Sequence, residues 1–162
     1  MSNICRAFFN DALAQQQNQS SHNIIGREYR FINELTEFKG YKEQQGVLIE
    51  PMNDHYGLSS VFNGVNTIII FNKIIPLKGN VKYKLLDTIM LNKLGKKRIV
   101  LMSSCTLHEK TDNEIIAMVT YKAKEHYTDI LQARRANKKT GRFEKIANKG
   151  LDCVDVGYSA ED

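Results

Sequence analysis

The sequence predicts an α+β fold with mostly antiparallel strands and a basic second half. Three observations carry this. Residues 65–75, VNTIIIFNKII, form a β-branched run of strand length rather than helix length. Two stretches, 3–17 and 124–137, place apolar residues at helical spacing. Between them lie short alternating runs punctuated by glycine, asparagine and proline, the pattern of antiparallel strands joined by tight turns.

Taken in order, residues 3–17 put Ile4, Phe8 and Ala12 or Leu13 on one face, with Ser2 or Asn3 as cap. The polar run QQQNQSSHN at 15–23 reads as a linker. Strands follow at 28–35 and 46–50, the second stopped by Pro51, with a turn-rich PMNDHYG after it. A weaker strand covers 58–62. Asn63-Gly64 signals a turn into the strand at 65–75, which Pro76 closes. Proline and glycine cluster at 76–80 and the charge balance changes there, so a domain boundary is expected, dividing 1–78 from 79–162. Beyond it, 81–91 and 98–105 read as strands, 114–123 as a strand or a helix start, and 124–137 as a helix. The run 137–142 is a basic turn, and Leu151, Cys153 and Val156 alternate at the end.

The chain has 162 residues, 42% hydrophobic and 25% charged, the make-up of a globular protein. No apolar run approaches the roughly 20 residues that span a bilayer, so no membrane partner is expected. Cys5, Cys105 and Cys153 are few, odd in number and far apart, which predicts reduced thiols and a cytoplasmic location.

The net charge of +5 is unevenly spread. Residues 1–80 hold 7 basic and 7 acidic side chains, and residues 122–149 hold 9 basic and 3 acidic. Such clustering is the footprint of a polyanion binder. Arg134, Arg135, Lys138, Lys139 and Arg142, followed by Lys145 and Lys149, face only Glu144. Gly95 is followed by a second basic group, Lys96, Lys97 and Arg98. Lysines at this density neutralise phosphates and release counterions without reading bases. Tyr121, Tyr127 and Phe143 offer aromatic faces close to the cluster. The acidic end, with Asp152, Asp155, Glu161 and Asp162, is expected to compete with DNA for it.

No catalytic motif of the CxxC, HExxH, GxSxG or GxGxxG type occurs. Cys105 and His108 stand near one another in sequence without the partners of a triad. The expectation is a protein that is not an enzyme, with no cofactor, no metal and no small-molecule substrate.

The stretch TEFKGYKEQQGVLIE (36–50) has a basic residue before one glycine, Phe38-Lys39-Gly40, and an apolar residue after the next, Gly46-Val47. It resembles the KOW motif of ribosomal proteins and transcription elongation factors, although the gap from Tyr41 to Gln45 is longer than that motif's. The resemblance implies a small SH3-like barrel with Lys39 and Lys42 at a hairpin tip, turned toward nucleic acid. With the charge layout and the length, the whole chain is similar to the MotB (modifier of transcription) early proteins of T-even bacteriophages. That implies a protein of the host bacterial cytoplasm or nucleoid. It would bind double-stranded DNA with little sequence preference, and host nucleoid or transcription proteins would be further partners. The KOW likeness alone leaves open an RNA- or ribosome-associated protein, or a protein-interaction module that inhibits a host factor.

Overall fold

The computed structural model describes residues 23–50, 55–92, 94–95 and 97–158. The helix expected at 3–17 lies outside the described residues, as does most of the linker after it. Among the described residues thirteen strands follow one another: β1 (Glu28–Tyr29), β2 (Lys42–Leu48), β3 (Tyr56–Phe62), β4 (Asn66–Leu77), β5 (Asn80–Asn92), β6 (Arg98–Met102), β7 (Cys105–Leu107), β8 (Lys110–Thr111), β9 (Ile115–Thr120), β10 (His126–Tyr127), β11 (Ile130–Asn137), β12 (Arg142–Lys145) and β13 (Leu151–Val154). They form a five-stranded sheet in the order β1-β5-β4-β3-β2, a four-stranded sheet β12-β11-β9-β6, and a second four-stranded sheet β10-β13-β7-β8. Every pairing is antiparallel.

The architecture is therefore nearly all β, not α+β, and the five-stranded sheet ends in free edges at β1 and β2 instead of closing into a KOW-like barrel. Among the described residues there is no α-helix. Two 3-10 turns, Ile32–Glu34 and Thr36–Phe38, are the only helical elements there. They replace most of the strand expected at 28–35. Ile32, Leu35 and Phe38 recur every three residues, the spacing at which side chains of a 3-10 turn eclipse. All three are buried on one face of the five-stranded sheet, beside Tyr29, Val61, Ile70 and Leu85. The Gly40 turn forms as expected, with φ +86. The chain then runs straight into β2, so Tyr41 to Gln45 is no hairpin loop and Gly46 lies within a strand. Pro76 does not end β4, which continues to Leu77 with Pro76 opposite Val81 near the hairpin turn.

The second half corrects the expected basic α+β domain. The helical reading of 124–137 fails because β11 is buried from both sides. Ala133 packs with Cys105, Ile115 and Tyr127 toward the smaller sheet, and Ala136 packs with Ile69, Phe71 and Met102 toward the five-stranded sheet. Burial at Ile130, Ala133 and Ala136 thus repeats every three residues without a helix. Strand β9 is treated likewise: Ile115, Ala117 and Val119 face one way and Ile116 the other. The β12-β11-β9-β6 sheet is the middle of three packed β layers. Cys105 and Cys153, 48 residues apart in sequence, are register partners on β7 and β13 and form a disulfide, correcting the expectation of reduced thiols. No helix among the described residues is long and apolar enough to cross a membrane.

Candidate nucleic-acid interface

The basic residues singled out above fall into two groups, one where β6 and β2 begin and one along β11 and the turn into β12. Arg98 begins β6 opposite Thr120 of β9, while Arg134 and Arg135 lie across from Ile116 and Ile115. Lys138 and Lys139 fall in the turn beyond Asn137, and Arg142 starts β12. Along β9, Arg134 lies four residues from the level of Arg98, roughly 13 Å at ~3.3 Å per residue, and the turn beyond Asn137 lies about seven residues away, roughly 23 Å. The structure does not bring the groups together.

The 134–142 group is largely spent within the molecule. Arg135 pairs with Asp112 and lies 4.0 Å from Glu114, and Lys138 pairs with Glu50 and with Glu114 at 3.5 Å. Burial and the nearby Asp112 push the Glu114 carboxyl above its ordinary range, outweighing the pull of Arg135 and Lys139. Alternation along β11 turns Arg134 the other way, beside Ile69, Ile89 and Leu91 of the large sheet. Its Nε is buried without a hydrogen-bond partner. Lys139 and Arg142 remain exposed with no carboxylate within ion-pair distance among the described residues. Of the aromatics near the cluster, Tyr127 is fully buried, Phe143 packs on Phe71 at 5.7 Å, and only Tyr121 is exposed. Asp152 lies in β13 and pairs with His126 at 3.0 Å, and Cys105 is held in its disulfide. Glu161 and Asp162 lie outside the described residues.

The other group is built differently. Lys39 follows the second 3-10 turn and Lys42 opens β2 just past Gly40, opposite Phe62. Lys97 and Arg98 enter β6, and Lys96 lies outside the described residues. Register partners point to the same face, so Lys42 and Phe62 share the side of the large sheet that looks toward β6. There a groove of about 850 Å3 runs between the sheets, with Phe62, Val65, Ile69, Ile99 and Met102 among its apolar residues and Arg98 as its only charged one among the described residues. Gly64 and Gly95, both at positive φ, turn the chain at its mouth. Lys39, Lys42, Lys97 and Arg98 are all exposed and make no ion pair among the described residues. Gln44, Gln45 and Phe62 also line the groove. The sequence offered no sign of them beyond the weak strand at 58–62, because β2 and β6 meet only through tertiary packing.

No protein-family model, no curated protein and no solved structure matches this chain.

Proposed function

We propose that the protein is a non-enzymatic binder of double-stranded DNA that contacts phosphates without regard to sequence. Its effect in the cell is on transcription or nucleoid organisation. The phage resemblance sets that action in the host bacterial cytoplasm. The observation that carries the reading is Arg98 in the lining of the groove, with Lys97 next to it in the chain and Lys42 opposite the groove residue Phe62, and with no acidic residue among the described residues of the lining. Unpaired cations at one edge attract a phosphate backbone at no cost in broken ion pairs, and counterion release supplies the affinity. Phosphate contacts position a duplex but do not select its bases. Lys139 and Arg142, at the far end, are too distant to share one short contact.

Fluorescence anisotropy with random-sequence duplex DNA across a salt series tests this. Changing Lys42, Lys97 and Arg98 together to Ala should weaken binding equally for every sequence. The slope of log K against log salt should become shallower by about 3, at ~0.9 per phosphate contact. Changing Lys138 to Ala should leave that slope unchanged, because its charge is already used by Glu50 and Glu114. A parental slope in the triple variant, or a preference for duplex RNA, overturns the reading.

A further inference from the structure

A second cavity lies on the opposite face of the five-stranded sheet. The 3-10 turns cover only part of that face. Beside them, a cleft of about 400 Å3 opens over β2, β3 and β4, within the size range of small-molecule sites. Its chemistry differs from that of the basic groove. Tyr29 donates its hydroxyl proton to Asn72 Oδ1 at 2.8 Å, and Asn72 Nδ2 donates to Ser59 Oγ at 3.1 Å. Asn72 is 1% exposed, so this amide is a fixed part of the cleft wall. Tyr83 packs against Tyr29 with ring centroids 5.6 Å apart.

The chain spends two buried polar groups here where neighbouring positions of the same face carry Ile68, Ile70 and Leu85. A polar network under an open cleft needs a reason beyond folding, since apolar residues would close the face at less cost. Its unused valences point to a ligand. Ser59 retains its hydroxyl proton, and Tyr29 its oxygen lone pairs. Burial holds the Tyr29 phenol well above its ordinary pKa, with the Glu43 carboxylate adding to that effect, so the hydroxyl stays neutral and Glu43 is near enough to be felt. Gly46 and Gly57 make part of the floor bare backbone. A Cβ at Gly57 would stand 3.1 Å from the Val47 carbonyl oxygen, whereas one at Gly46 would meet nothing within 4 Å and project into open space.

We propose that this cleft binds an uncharged, polyhydroxylated ring of pyranose size. Hydroxyl groups both donate and accept, matching a wall that offers the Ser59 proton beside Tyr29 and Glu43 oxygens. The flat face of such a ring lies against the glycine floor and the tyrosine pair. Glu43, the only charged residue among the described residues of the lining, rejects phosphates and other anions. The site is separate from the DNA reading and stands or falls without it.

Titration of the full chain with D-glucose, D-galactose and N-acetyl-D-glucosamine, followed by two-dimensional amide NMR, tests the proposal. At least one sugar should bind saturably and shift the amides of Gly46, Gly57 and Ser59. Gly46→Val fills the cleft without touching the fold, and should keep the dispersed spectrum while weakening that sugar at least tenfold. Ser59→Ala should weaken it several-fold. Absence of saturable binding by all three sugars overturns the proposal. So does binding that survives Gly46→Val, or saturation of the cleft by tetramethylammonium in preference to the sugars.

Discussion

At Asp129, Lys122 and Lys124 converge on one carboxylate, Lys124 at 2.8 Å with its ammonium also 4.8 Å above the Tyr127 ring. The hydrogen bonds from Lys122 and then Lys124 hold the Asp129 carboxyl well below its usual range. A carboxyl depressed in the folded state contributes stability that is present above its unfolded value, about 3.9. That contribution is lost as pH falls through the folded value. Stability measured by urea denaturation between pH 5 and pH 2 should therefore fall less steeply in Asp129→Asn than in the parent. Parallel curves would show that the two lysines do nothing for the fold. The same residue-level arithmetic separates the two basic groups. Arg135 and Lys138 are bound to carboxylates, whereas Lys42 and Arg98 are not. No count of charges along the chain distinguishes them.

Among the elements, β7 and β13 show how short strands are held. Each has three or four residues, and their partners β8 and β10 have two. Sheets of such length are marginal alone. The Cys105–Cys153 link joins them and closes a loop across 48 residues, a constraint on the unfolded chain of about 4 kcal/mol. Reductant should lower the urea midpoint accordingly, and Cys153→Ser should be insensitive to it. Equal midpoints with and without reductant in the parent would mean that the thiols do not pair in solution. Disulfides persist in oxidising compartments, whereas DNA in a bacterium lies in a reducing one. If the protein works there, β7 and β13 must be held by their ladder and by the burial of Leu151 and Tyr127 alone. The β2 strand makes the complementary point. It is a solvent-exposed edge with a register shift between Glu43 and Gln45, an irregularity that bends an edge away from further pairing.

For the whole molecule, the contact between layers turns on Phe71. It is fully buried, with Tyr56 at 5.9 Å and Phe143 at 5.7 Å between ring centroids. The Phe143 backbone N–H also donates to Asp87 on β5 at 2.8 Å, tying the β11–β12 hairpin to the large sheet. Phe71→Ala should cost about 3–5 kcal/mol in chemical denaturation. A loss below 1 kcal/mol would mean that the layers do not depend on this stack. How much of this arrangement was legible depended on how local its cause was. The strand at 65–75, its turn at Asn63-Gly64 and the strand at 81–91 were readable because β-branched residues and turn residues act within a few positions. The strand at 28–35 and the helix at 124–137 were misread because three-residue burial arose from 3-10 turns in one place and from a strand covered on both faces in the other. Similarly, the sequence alone determined that lysine and arginine crowd into 122–149. Only the tertiary structure decided that Glu50, just past β2, and Asp112 and Glu114, between β8 and β9, neutralise Arg135 and Lys138, while Lys42 and Arg98 stay free beside a groove. The physical reason is range: propensity and turn chemistry act along the chain, whereas burial, ion pairing and the joining of Cys105 to Cys153 act across it.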